Sequence, residues 1–352
     1  MKDRIEQMQT KAQALPRARL GFFPTPLHRL DRLSEQLGVN LYIKRDDLTG
    51  MNLFGGNKIR KLEYLMGDIV RQGYDTVLTY GAVQSNHAMQ TATACRRLGL
   101  YPVLCLNPCS ERDARNVRAN LLLNRILGAE VHVLDYVPDE PEAQMKRRRQ
   151  ALGRARMDEL AREGRRCCEL PSGGASAMGS VGYVMGYAEL MAQCLALRNA
   201  PDYVFSATGT GGTLGGMVGG HLVLGDRVRV IGIADSPLDD DYEQQSAELC
   251  NGALALLGSD ARATAADIHV DRGYYAPGYE QPSAIGTRAI HLMARQEGLM
   301  LDPVYTGKAF AGLLDWVRQG KVKPGSTVVF WHTGGVSALF ADREITGPIG
   351  GA

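Results

Sequence analysis

The stretch "DYVFSATGTGGTLGGM", Asp202–Met217, reads as a strand, a glycine-rich turn and the start of a helix in direct succession. Aromatic and β-branched residues at Tyr203, Val204 and Phe205 suit a pleated strand. Gly209, Gly211 and Gly212 then permit backbone conformations and close approaches that side chains block. Thr208, Thr210 and Thr213 add hydroxyl groups. Backbone N–H groups at a helix start, joined by such hydroxyls, form a cradle for a phosphate. A dinucleotide fingerprint starting at Gly209 requires glycine at its sixth position, where this chain has Leu214. Asp235 still ends the following strand, as a ribose-binding acid would, and a plain helix-start loop is the simplest alternative. A cradle for a phosphate monoester is the reading this loop favours.

Working outward, strand and helix patterns alternate on both sides. "DTVLTYGAVQSNH" is a strand and its loop, and "AMQTATACRRLGL" continues as a helix ending at Gly99. "YPVLCL" is a strand, "NVRANLLLNRILGAE" a helix stopped by Gly128, and "EVHVLD" another strand. Pro138 and Pro141 precede a long basic helix to about Arg162, and "CCEL" is a short strand before "PSGGAS". "AMGSVGYVMGYAELMAQCLAL" is helical, and "RVRVIGIAD" and "STVVFWH" are strands. This alternation predicts an α/β fold of open, twisted, mostly parallel sheets flanked by helices. Ligands of such folds sit at the carboxyl ends of strands. That rule directs attention to three loops, Gly81–His87, Ser206–Thr213 and His332–Gly335.

The 352 residues suffice for about two domains with real cores. A net charge of +2 offers no bulk attraction to nucleic acid or a membrane surface. The local run "KRRR", Lys146–Arg149, and the arginines after it read as a solvated helix face, with Asp158, Glu159 and Glu163 interleaved. Seven cysteines are an odd number without metal-type spacing, so no metal is expected, and free thiols in a reducing cytoplasm are. The polar start "MKDRIEQMQTKAQ" does not fit the apolar region of a signal peptide, and no apolar run is long enough to span a bilayer.

Two further stretches carry chemistry. "FGGNKIRK", Phe54–Lys61, sets Lys58 behind two glycines and an asparagine at the mouth of an amphipathic helix. "GAVQSNHAMQ" places Ser85, Asn86 and His87 where a strand meets a helix. A serine or asparagine there is commonly only a cap, and a single histidine is more often structural than catalytic. Lys61, one turn beyond Lys58, is by default a solvated lysine. The coincidence of a lysine, a phosphate cradle and polar strand-end loops, with "HTGG" at His332–Gly335 as the third, points to pyridoxal 5'-phosphate (PLP). Gly55, Gly56 and Asn57 would then let Lys58 reach the cofactor's aldehyde carbon without a bulky wall.

These residues are also recognisable. From "PTPLHRLDRLSEQLG" at Pro24 to "HTGGVSALF" ending at Phe340, the chain resembles the D-cysteine desulfhydrase / 1-aminocyclopropane-1-carboxylate (ACC) deaminase family, of the tryptophan-synthase-β-like fold. "IKRDDLTG", "GGNKIRKLEYL", "GAVQSNHA", "LPSGGASAMGSVGYV", "APGYEQP" and "LDPVYTGKAFAGL" carry the likeness, and it is their combination that is specific. The resemblance implies two units with PLP in the cleft between them. Residues 1–64 and 172–352 would form the large PLP-binding domain and 65–171 the small one. It implies Lys58 as the Schiff-base lysine and a proton carrier, and Asn86 on the cofactor's 3-hydroxyl. Thr208, Gly209, Thr210, Gly211, Gly212 and Thr213 would hold the phosphate with Lys61, and Thr333 would face the pyridine nitrogen. Ser85, Asn86 and His87 would lie near the substrate carboxylate, and Tyr279, Tyr305 and Thr306 around the substrate. Ser85, Tyr279 and Tyr305 join Lys58 as catalytic candidates, the phenols assisting proton transfer if the cofactor lowers their pKa. On the residues alone, both tyrosines read equally well as packing and Thr306 as a helix cap. A homodimer in the cytoplasm, acting on a small amino acid, is the family's implication.

Within that family, His87 replaces the glutamine and Thr306 the glutamate of ACC deaminases, whose phosphate loop is also shorter. The loop "TGMNLFGGNK" and "KLEYLMGDIV" look deaminase-like instead. The expected activity is β-elimination of D-cysteine to pyruvate, ammonia and sulfide. ACC deamination, L-cysteate sulfo-lysis or another β-substituted amino acid, a non-catalytic PLP-binding protein and a nucleotide-binding oxidoreductase are the alternatives. The sulfonate alternative needs a cationic group that the sequence does not assign.

Overall fold

The computed structural model describes residues 1–341 except 51 and 53, with the backbone alone at 114 and 115. Ten strands are described: Leu27–Arg29 (β1), Asn40–Arg45 (β2), Thr76–Ala82 (β3), Tyr101–Asn107 (β4), Glu130–Val133 (β5), Cys167–Leu170 (β6), Tyr203–Thr208 (β7), Arg229–Ala234 (β8), His269–Asp271 (β9) and Thr327–His332 (β10). They form a six-stranded sheet in the order β1-β2-β10-β7-β8-β9 and a four-stranded sheet in the order β5-β4-β3-β6. All neighbours pair in parallel except β1, which runs antiparallel to β2 at the edge. Val329 lies in register with Tyr42 on one side and Val204 on the other, which places β10 and β7 at the centre of the larger sheet. Every residue of β3, β7 and β10 is buried, as parallel strands covered by helices on both faces require.

The alternation around Asp202–Met217 therefore describes the molecule well, and three strands lie outside it. β1 and β9 have only three residues each, too few for a periodic pattern. β2 ends in Lys44 and Arg45, which read as surface, yet Lys44 is fully buried. Its ammonium bonds Glu189 at 2.5 Å, Gln193 at 2.6 Å and the Thr25 carbonyl at 2.8 Å, partners that become neighbours only through the fold. The helix expected from 116 and stopped by Gly128 is confined to Ala119–Ile126. The basic helix spans Glu142–Arg162, but its inward edge carries Arg149, Gly153 and Leu160. Arg149 thus departs from the solvated face that the charge pattern suggests. The boundary expected after residue 64 falls within the helix Lys58–Arg71.

That helix is held on two sides. The helix Ala177–Ala196 packs against it and against the helix Gly212–Leu224. A side chain at Gly182 would run into the Arg60 carbonyl, and one at Gly216 into the Ser180 carbonyl, so these backbones meet only because both residues are glycine. Beneath them lies a buried ion network. Arg60 grips Asp46 with two bonds of 2.8 Å and Glu189 with bonds of 2.8 and 3.0 Å. Tyr183 donates to Asp46 at 2.7 Å. Although burial pushes the Asp46 carboxyl up, Arg60 and Lys44 outweigh it and hold the carboxyl at about 2. All seven cysteines are free. Among the described residues no helix is long and apolar enough to cross a membrane.

Candidate active site

A cavity of about 640 Å³ opens between the carboxyl ends of the strands of both sheets. Gly81 and Ala82 of β3 and Asn107 of β4 form one wall. Ala207 and Thr208 of β7, Asp235 just after β8 and Thr333 just after β10 form the other. All three loops singled out from the sequence reach it.

Lys58 is the first residue of its helix and points into this cavity. The turn before it is tied down at several points. Thr49 exchanges hydrogen bonds with the Gly56 N–H at 2.8 Å and carbonyl at 3.1 Å, and the Asn57 N–H donates to the Thr333 carbonyl at 2.9 Å. The Asn57 amide also donates to the Thr213 hydroxyl at 3.1 Å, linking the lysine turn to the phosphate loop. The glycines serve this packing rather than an approach to a ligand. A side chain at Gly55 would strike the Asp47 carbonyl, and one at Gly56 would lie 2.6 Å from the Gln90 amide nitrogen. Burial lowers the Lys58 amine to about 8, against the pull of Asp235. Burial likewise lifts Asp235 to about 7, opposed by the Ser236 hydroxyl, Lys58 and Lys308. Each group is thus poised near neutrality, where small changes move protons.

The glycine-rich loop behaves as a cradle. Gly211, at φ +77°, turns the chain into the helix Gly212–Leu224. Thr208, Gly209, Thr210, Gly211 and Thr213 line the cavity, and the Thr208 hydroxyl is anchored to the Tyr242 hydroxyl. Gly212 and Lys61 stand directly behind. The Lys61 ammonium would lie 3.0 Å from a Cβ added at Gly212 and donates to the Gly173 carbonyl at 3.2 Å. Lys61 is 1% exposed and pairs with no acid among the described residues, so it is not a solvated lysine. Burial, with Lys58 nearby, drives its pKa well down. The Ser180 hydroxyl, also beside Gly212, is buried with no partner among the described residues. A helix N-terminus, a buried lysine amine whose charged form an anion would stabilise and a spare hydroxyl are complementary to a phosphate, so these residues fit the group the sequence suggests.

The remaining candidates divide. Ser85 caps the helix Asn86–Arg97, its oxygen accepting the Ala88 N–H at 3.3 Å while it lines the cavity. The Asn86 oxygen accepts from the Asn120 amide at 2.9 Å and the Ser337 hydroxyl at 3.3 Å, which fixes the orientation of its amide. His87 lines the cavity, bonds the Thr79 hydroxyl at 2.9 Å through Nε2 and is kept neutral chiefly by burial. Tyr279 and Tyr305 share a hydroxyl–hydroxyl bond, with ring centroids 6.0 Å apart. Burial raises both phenols well above their ordinary value, so as placed they donate hydrogen bonds and do not act as bases. Thr306 is not among the residues lining the cavity. Its hydroxyl donates to Asp302 at 2.6 Å and accepts the Asp302 N–H at 2.8 Å, which makes it part of the turn that starts its helix.

The lining residues that the sequence reading did not assign to the site include Arg149, Tyr242 and, as a partner of Lys58, Asp235. Only Arg149 carried a usable signal. With Gly153 four residues on and Leu160 eleven on, it marks a stripe along the inner side of its helix.

Comparison with known proteins agrees with this geometry. The family model for pyridoxal-phosphate dependent enzymes matches residues 18–334. D-cysteine desulfhydrases of Salmonella choleraesuis and Salmonella typhi are each 40% identical over 328 residues, covering 93% of this chain and 96% of theirs. A crystal structure described as an ACC deaminase homologue superposes with a TM-score of 0.84 at 36% identity, covering 95% of this chain and 96% of that one. Threonine deaminase isoform 2 from Solanum lycopersicum, at 18% identity and a TM-score of 0.64, shares the fold.

Proposed function

The chain belongs to the family of pyridoxal-phosphate dependent enzymes, and on that premise we propose that it is a β-elimination lyase that converts D-cysteine to pyruvate, ammonia and sulfide. The observation that carries the proposal is Lys58, an amine lowered to about 8, facing the phosphate cradle across one cavity. Bound PLP supplies the electron sink for the pair released when the Cα–H bond breaks. The cradle from Thr208 to Thr213, with Lys61 behind it, holds the phosphate. Asn86 and Thr333 would help to hold the ring, and Thr333 would offer the pyridine nitrogen a neutral hydroxyl that enforces no proton there. Ser85 and His87 receive the substrate carboxylate. Lys58 takes the Cα proton, the Cα–Cβ double bond forms, and the Cβ–S bond breaks with its electrons leaving on sulfur. Tyr279 and Tyr305 stay protonated; one O–H is committed to the bond between them, and the other is offered to the substrate. The released enamine hydrolyses to pyruvate and ammonia.

Opening a cyclopropane ring demands acid–base groups beside a carbon with no ready leaving group. Position 306 offers none, because its hydroxyl is spent on Asp302. In this reading residues 1–64 with 172–352 form the large domain that carries the cofactor, residues 65–171 form the small domain, and the enzyme works as a cytoplasmic homodimer. The test is a visible absorption spectrum of the holoenzyme, with sulfide and pyruvate assayed after D-cysteine is added. A cofactor band that shifts, stoichiometric products and their loss in Lys58→Ala are expected. A bound cofactor that yields no products from D-cysteine, but does yield 2-oxobutyrate from ACC, would overturn the substrate assignment.

A further inference from the structure

The lyase reading leaves one buried cation in the cavity wall without a task. Arg149 is 8% exposed and lines the cavity from the helix Glu142–Arg162. One terminal nitrogen of its guanidinium bonds the Asn107 side-chain oxygen and the other the Ser172 hydroxyl at 3.2 Å. Among the described residues its buried Nε has no partner, and no acid forms an ion pair with it. The guanidinium lies over the Tyr80 ring, 5.7 Å from its centroid. A guanidinium has five N–H donors and stays charged, so the two bonded terminal nitrogens retain one donor each. A buried charge without a counter-ion is costly unless a ligand supplies one.

The position says which part of a ligand that is. Tyr80, Asn107 and Ser172 lie at or just beyond the carboxyl ends of β3, β4 and β6, on the wall facing Tyr279. The cofactor phosphate already has its own cradle with Lys61, and the helix start at Ser85 is available to an α-carboxylate. A second negative charge, on the substituent at Cβ, remains for Arg149.

We propose that Arg149 is the specificity-determining residue for the β-substituent, selecting amino acids whose leaving group is an anionic sulfur group, a thiolate or a sulfonate. The inference rests on the lyase reading. In the elimination the Cα proton passes to the base, the Cα–Cβ double bond forms and the Cβ–S bond breaks. Its electron pair departs on sulfur, as sulfite from a sulfonate; a departing thiolate sulfur takes up the proton that the base removed from Cα and leaves as hydrosulfide, and Arg149 stands opposite the negative charge throughout.

The test compares holoenzyme of the wild type, Arg149→Gln and Arg149→Lys. Cysteate, as each enantiomer, carries a sulfonate, and β-chloroalanine carries a neutral substituent of similar position. The ratio of kcat/KM for cysteate over β-chloroalanine is expected to fall at least about tenfold in Arg149→Gln, the scale of one charge-assisted hydrogen bond, and to recover in part in Arg149→Lys. Equal losses on both substrates would overturn the proposal, since Arg149 would then serve the α-carboxylate or the wall itself. So would a wild type with no calorimetric affinity for either enantiomer of cysteate. If neither substrate turns over, the lyase reading fails. Calorimetry then decides the role of Arg149, which stands if Arg149→Gln weakens cysteate at least about tenfold more than it weakens alanine. Arg149→Lys keeps the charge, so it decides the matter if the glutamine variant fails to fold.

Discussion

At the scale of single residues, burial does most of the chemical tuning. Lys58 is brought to about 8 by desolvation, with Asp235 opposing, while the same desolvation lifts Asp235 to about 7. In the cofactor-free protein Lys58 is therefore expected to react with an amine-directed acylating reagent at a rate half-maximal near pH 8. A lowered pKa enlarges the neutral, nucleophilic fraction below pH 9, so Lys58 should label ahead of the exposed lysines. Peptide mapping of the labelled protein across pH 6 to about 10 checks this. Labelling of Lys58 that rises only with the surface lysines would remove the electrostatic basis of its role. The lysine itself was legible in the sequence, because glycines and an asparagine before a helix start are unusual company for it. Its acid partner was not, since Asp235 lies 177 positions along the chain and meets it only through the packing of β8 beside β7.

At the scale of elements, the helix Lys58–Arg71 is aimed by the ion network at its first turn. Arg60 follows Lys58 by two residues, so whatever holds Arg60 holds the turn that carries the Lys58 amine. The Asp46 carboxyl is depressed from 3.8 to about 2, which links stability to pH. A depressed carboxyl contributes stability that is fully present above its unfolded pKa and is lost as pH falls through the folded one. Asp46 thus contributes about 2 kcal/mol at neutral pH, lost between about pH 4 and 2. Asp46→Asn leaves Arg60 and Lys44 short of a counter-charge and is expected to cost about 3–5 kcal/mol in urea unfolding at pH 7. The gap between variant and wild type should narrow at pH 3. An unchanged gap there would mean that Asp46 is not the titrating group. The same network explains why β2 was unreadable as a strand. A lysine and an arginine at its end argue for solvent until Glu189 and Gln193 arrive from a helix far along the chain. The basic helix misleads in the same direction. Its run of arginines made Arg149 look solvated, and only the facing β3 and β4 turn it inward.

At the scale of the whole molecule, two sheets meet across a cavity whose walls have buried polar groups waiting for partners. Lys61, Ser180 and Arg149 each carry donors that no described residue satisfies. Such a cleft is expected to gain stability when filled. Adding PLP to the cofactor-free protein should raise Tm, and a concentration 100 times Kd corresponds to about 2.7 kcal/mol. In Lys58→Ala that stabilisation should shrink, leaving the part supplied by the phosphate cradle, and inorganic phosphate alone should produce a small rise. A melting curve insensitive to PLP would contradict the cleft as its site.

By itself the sequence determined the α/β class, the glycine-rich cradle after β7, the lysine at the helix mouth and the polar loops at the strand ends. These are local statements. Each rests on a period of hydrophobicity, on a turn that demands glycine, or on a helix start, and all of them act within a few residues. Tertiary structure alone decided which acid faces Lys58, that Lys44 is buried and that Thr306 is committed to Asp302. Those outcomes depend on desolvation and on partners distant in the chain. A charged residue carries the same letter whether it meets water or a counter-charge, so only the packed molecule separates the two.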